Sequence, residues 1–172
     1  LGGRDDGDCA IVTGAWGRGV AGIGLDPPAL RWRREVRREP RGVVVLPGGQ
    51  RVYVSHLMGA ALTRIDEPAT TTPSVTEVSF PAAPLRSPSH RTGFASLGYS
   101  LALSPDGSRL FAPRRALGAD GKRAWNGQPT VDVLLTKDDS LLVDPPKKRF
   151  IQWTPDFQSS FDSFGMIAPK DL

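Results

Sequence analysis

Val43-Val44-Val45-Leu46-Pro47-Gly48-Gly49-Gln50-Arg51-Val52-Tyr53 aligns without a gap on Leu101-Ala102-Leu103-Ser104-Pro105-Asp106-Gly107-Ser108-Arg109-Leu110-Phe111, 58 positions further along the chain. A weaker third copy, Asp5-Asp6-Gly7-Asp8-Cys9-Ala10-Ile11-Val12, stands 42 positions before the first. Self-similarity at such spacing means a stack of supersecondary units, each too small to bury its own apolar face.

The repeated unit is an apolar run, a Pro-x-Gly turn, a polar pair and a second apolar run. Pro47 and Pro105 set the φ that the first central position of a β-turn needs, and Gly49 and Gly107 supply the positive φ that ends it. Short β-branched, aromatic and aliphatic runs at 43–46, 51–54, 101–103 and 109–112 therefore read as hairpin strands. Two further runs with period-2 alternation, 61–66 and 74–80, complete a unit of four strands. The preceding unit repeats this order at 9–13, 20–25 and 30–36, then returns through Pro40-Arg41-Gly42. A repeat of about 40–45 residues built from four antiparallel strands is one propeller blade.

At these residues the chain resembles the YVTN-type β-propeller repeat of bacterial surface and periplasmic proteins. Ser104-Pro105-Asp106-Gly107 keeps the family's turn, Val52-Tyr53-Val54-Ser55 approximates its Tyr-Val-Thr-Asn strand, and Ile65-Asp66 matches the end of its later strand. The resemblance implies an all-β fold of four-stranded antiparallel propeller blades. It also implies a periplasmic or extracellular location. With about three to four blades the propeller is incomplete, so the remaining blades are expected in the same chain or by self-assembly. The expected partition is a partial propeller over 1–145, followed by an irregular connection or the start of a further blade over 146–172.

Two stretches depart from the repeat. The second spacing exceeds the first by 16 residues, and the excess falls in 81–98, which is rich in Pro and Ser. A further insert covers 113–129. Both read as irregular loops, and long loops on a compact repeat are disproportionately functional.

The chain of 172 residues carries a formal net charge of +4, which raises nucleic-acid binding through the run from Arg31 to Arg41. On a strand, Leu30, Trp32 and Val36 face one way and Arg31, Arg33 and Glu35 the other, a solvated outer edge; a helix capped by Asp26 is the competing reading. No aromatic interleaving of the kind single-strand binders use is present in this run, and nucleic acid is not the favoured partner. No apolar run reaches the roughly 18 residues of a membrane helix, so no membrane span is expected. The single cysteine, Cys9, excludes an internal disulfide.

Chemistry-bearing motifs are sparse. His56 and His90 are the two histidines, and no haem-attachment, zinc or nucleophile-elbow motif occurs, so no cofactor, metal site or catalytic residue is assigned. Asp5, Asp6 and Asp8 have calcium-like spacing without the closing Glu, and read as a solvated turn. His56 follows its strand at the place Arg114 takes in the next repeat, so both are expected on equivalent loops of one face. With Arg115 and Trp125 they are the candidate partner-binding residues. The function these features suggest is a non-catalytic binding or interaction propeller, part of a larger bacterial surface or periplasmic protein, with a protein or small ligand on the loop face. Two alternatives stand beside it: the propeller portion of a redox enzyme whose c-type cytochrome module lies elsewhere, as in some relatives of this repeat type, and a nucleic-acid binder working through the arginine run.

Overall fold

The structure is a computed structural model in which residues 8–81, 83–84, 92–96, 98–120 and 123–142 are described. Among them there is no helix. The first sheet orders β1 (Cys9–Gly14), β2 (Gly19–Leu25) and β3 (Pro28–Glu35) antiparallel. The second orders β4 (Pro40–Val45), β5 (Arg51–His56), β6 (Ala61–Asp66) and β7 (Ser74–Ser79). The third has six strands: β8 (Ala83–Pro84), β9 (Thr92–Ser96), β10 (Ala102–Leu103), β11 (Arg109–Asp120), β12 (Arg123–Leu135) and β13 (Ser140–Leu141), in the order β13-β12-β11-β9-β8 with β10 also paired to β11. These are three successive antiparallel blades of an incomplete propeller, and β1 to β7 fall where the repeat placed them.

The turn chemistry behaves as the residue types require. Gly49 N–H donates to the Leu46 carbonyl at 2.9 Å and Gly107 N–H to the Ser104 carbonyl at 2.8 Å, closing a turn over each proline. Gly49 and Gly107 have φ of 72° and 71°. The two turns lie against each other, since a Cβ added at Gly107 would stand 2.6 Å from Pro47 Cδ. In the second turn Asp106 accepts from Ser104 Oγ at 2.5 Å and from the Ser108 N–H at 3.1 Å. Those hydroxyl and amide donors, Ser104 first, hold its carboxyl down to about 2.

Packing runs between sheets rather than within them. Val52 and Val54 of β5, with Ile65, join Val20, Trp32 and Val36 in a core between the first and second sheets. Tyr53, pointing the other way from the same strand, joins Leu62, Val78, Phe80, Leu110, Ala112 and Leu134 between the second and third. Period-2 alternation thus serves two cores from one strand, and each fully buried aliphatic side chain contributes roughly 1.5–3 kcal/mol.

Three details differ from the sequence expectation. The helix option for 27–40 is excluded: Asp26-Pro27 forms the turn between β2 and β3, and β3 is extended. The register of β2 with β3 slips between Gly22 and Ile23, leaving Arg31 as an extra residue. Such a bulge rotates the side chains that precede it, so Trp32 is buried while Leu30 is 64% exposed on the outer face, not beside Trp32. Finally, 113–129 is no irregular loop. Apart from residues 121 and 122, which lie outside the described part, it falls within β11 and β12, which extend beyond the body of the blade as a paired arm. Part of 81–98 joins it, because β9 pairs with β11 through Ser96, Ala95 and Phe94 opposite Arg115, Ala116 and Leu117. Residues 146–172 lie outside the described part.

Candidate functional site

The blades have two ends with different chemistry. At one end stand the Pro-x-Gly turns and the turn from β12 to β13. Here Arg51 Nε donates to Asp66 Oδ1 at 2.6 Å, and Arg51 Nη1 reaches the Thr136 carbonyl at 2.6 Å in the next sheet. Arg64 Nε donates to Asp66 Oδ2 at 2.9 Å and its Nη1 pairs with Asp139. Tyr53 donates its hydroxyl to Asp139 Oδ1 at 2.5 Å. Burial first, and then the Asp139 carboxylate, push the Tyr53 phenol up to about 12. The basic residue after the turn and the Ile-Asp strand end are therefore partners, since Arg51 and Asp66 are directly opposed in the register of β5 with β6. This end is internally satisfied and clamps two blades together.

The other end carries the turns from β1 to β2 and from β5 to β6, the connection between β3 and β4, and the arm. The candidate residues fall here, and the structure separates them. His56 is the last residue of β5 and is 2% exposed. Its Nδ1 lies 3.1 Å from the Arg37 carbonyl and its Nε2 2.8 Å from Thr63 Oγ1. A neutral ring donating from Nδ1 and accepting at Nε2 meets both partners. Burial holds its protonation below the ordinary imidazole range, with the Arg38 and Arg37 backbone pulling the other way.

Arg114 is likewise buried, 7% exposed, in β11. Its Nε donates to Asp132 Oδ2 at 2.6 Å, and the guanidinium carbon stands 3.8 Å from the centroid of the Phe80 ring. Burial pushes the Asp132 carboxyl up, and the Arg114 charge pulls it back. Thus His56 and Arg114 do sit at equivalent positions, yet on inward-facing strand positions rather than on loops. Arg115, next in the strand, is exposed. Trp125 falls on β12, in the part of the arm whose side chains lie outside the description; His90, Asp5 and Asp6 also lie outside the described residues.

No protein-family model matches the sequence. No curated protein matches it either. In structure the chain is similar to Kuenenia stuttgartiensis hydrazine synthase, with a TM-score of 0.42 and 15% identity over 80% of this chain and 45% of that one. This chain therefore spans less than half of that chain's length.

Sequence reading missed several residues at the arm end. Trp16, in the turn from β1 to β2, is 89% exposed, and Met58, in the turn from β5 to β6, is 50% exposed. They are 42 positions apart, the repeat spacing, so the sequence already held this signal. Each precedes a glycine, and Gly59 has φ 95°. Asp132 and Phe80, the partners of Arg114, were not legible because both contacts depend on sheet pairing and sheet stacking. Among the described residues no three His, Cys, Asp or Glu side chains converge to hold a metal ion, and no helix is long and apolar enough to cross a membrane.

Proposed function

We propose that this chain is a non-catalytic binding or interaction propeller, part of a larger bacterial surface or periplasmic protein, that meets its partner at the arm end. One observation carries the reading: both departures from the repeat contribute to a single sheet extension at that end, where β9 pairs with the β11–β12 arm. An extension of this length enlarges the surface a rigid scaffold can present, while the opposite end is occupied by an ion-pair network that crosses between blades through Arg64 and Asp139. His56 and Arg114 support the surface from beneath, and Arg115 is exposed on it.

The test is a photo-crosslinking amino acid placed at Arg115, on the arm, or at Arg109, at the opposite end, in the full chain produced in its native host. Discrete adducts from position 115 and none from 109 are expected. Equal labelling at both positions, or no adduct at 115, overturns the assignment.

A further inference from the structure

Between the turn from β1 to β2 and the connection from β3 to β4 lies a cleft of about 300 Å³, lined by Ala15, Trp16, Arg18, Arg38 and Glu39. We propose that it docks an acidic protein segment that carries an aromatic or aliphatic side chain, an inference that rests on the binding role above.

The cleft is held open by backbone contacts. Val36 N–H donates to the Arg18 carbonyl at 2.8 Å and Leu57 N–H to the Glu39 carbonyl at 2.9 Å, so both walls are tied to neighbouring elements. Arg18 and Glu39 have φ of 49° and 55°, conformations that L side chains rarely adopt. A site fixed before its ligand arrives loses less entropy on binding.

Its chemistry is one open indole among cations. Trp16 is almost wholly solvent-exposed. Arg18 is shared with Glu35 at 3.2 Å and Arg41 with Glu39 at 2.8 Å. Arg38 is exposed and makes no ion pair among the described residues, which leaves an uncompensated guanidinium beside the ring. Guanidinium groups grip carboxylates bidentately, and Trp and Arg are among the residue types enriched at interface hot spots. A polyphosphate chain suits the cleft less well than a segment that offers one carboxylate to Arg38, because the Glu39 carboxylate also lines it.

The experiment titrates the full chain with three fluorescein-labelled probes: a peptide of Glu, Asp and Phe, the same peptide with Lys in place of each acid, and single-stranded oligo-dT. The acidic peptide is expected to bind at least ~10-fold more tightly than the other two. Trp16→Ala and Arg38→Glu should each weaken it by about 10-fold, Arg38→Lys by less, and Arg109→Glu at the opposite end not at all. Far-UV circular dichroism of each variant checks the fold, and both substituted side chains are exposed. Equal binding of the two peptides, or full binding by Trp16→Ala and Arg38→Glu, overturns the proposal; tighter binding of oligo-dT replaces it with a nucleic-acid site. Failure here together with adducts at Arg115 leaves the interaction role standing and removes only this cleft.

Discussion

His56 and Arg114 occupy the same place in successive blades. Each lies on the second strand of its sheet, turned toward the preceding blade, and each is met from the third strand by a polar partner, Thr63 or Asp132. The partners are equivalent too, since Thr63 opposes Val54 as Asp132 opposes Ala112. In the first blade the corresponding positions are Gly14 and Ala21, so there the pair is absent. One neutral and one charged solution thus satisfy the same buried position.

The charged solution is costly to break. Arg114→Ala should destabilise the chain by about 3–5 kcal/mol, because it strands a buried carboxylate. The double change Arg114→Met with Asp132→Leu should recover most of that loss. Urea unfolding of Arg114→Met, Asp132→Leu and the double variant forms the cycle, and a cost for the double equal to the sum of the two single costs would show that the pair does not act as a unit.

The neutral solution responds to acid. The folded-state value of His56 lies below its ordinary 6.5, so its contribution is complete above pH 6.5 and lost as pH falls through the depressed folded value. Thermal unfolding should show stability decreasing below pH 6.5 in the parent, and a flatter profile in His56→Gln. Parallel profiles would assign the acid sensitivity to other groups.

Tyr53 behaves in the opposite sense. Its value rises from 10.0 to about 12 in the fold, so its contribution is complete below pH 10 and disappears between there and about 12. The chain has two tyrosines, and a Tyr99→Phe variant leaves Tyr53 as the only phenol to follow by ultraviolet difference absorption. Tyr53→Phe should cost about 1.5–3 kcal/mol through the lost bond to Asp139; titration near 10 or a neutral substitution would contradict the clamp.

Two glycines separate strain from crowding. Gly49→Ala meets no atom within 4 Å and should cost the φ penalty alone, about 1–2 kcal/mol. Gly107→Ala has nearly the same φ but drives its methyl into Pro47, and should cost about 1–3 kcal/mol more. Equal values would mean that the two turns do not touch in solution.

The repeat made the body of the blades readable because turn residues and strand alternation are local. Ala61 to Asp66 was expected as a strand from period alone and is one. Leu30 was misplaced because a bulge is not written in the alternation it interrupts. The arm was harder, since 113–129 lacks regular apolar alternation and its strands are set by pairing with each other and with β9. Equivalence of His56 and Arg114 was legible from the spacing. Their burial was not, because it depends on which sheet covers the strand end.

Tyr53 faces one neighbour while Val52 and Val54 face the other. The second blade cannot therefore be copied, deleted or exchanged as a self-contained cassette: half of what it needs is written in the sheet before it and half in the sheet after. The natural module is the seam, one strand face from each of two blades with the polar pair that closes it. Recombination that respects seams should yield folded chains, and recombination at blade boundaries should not.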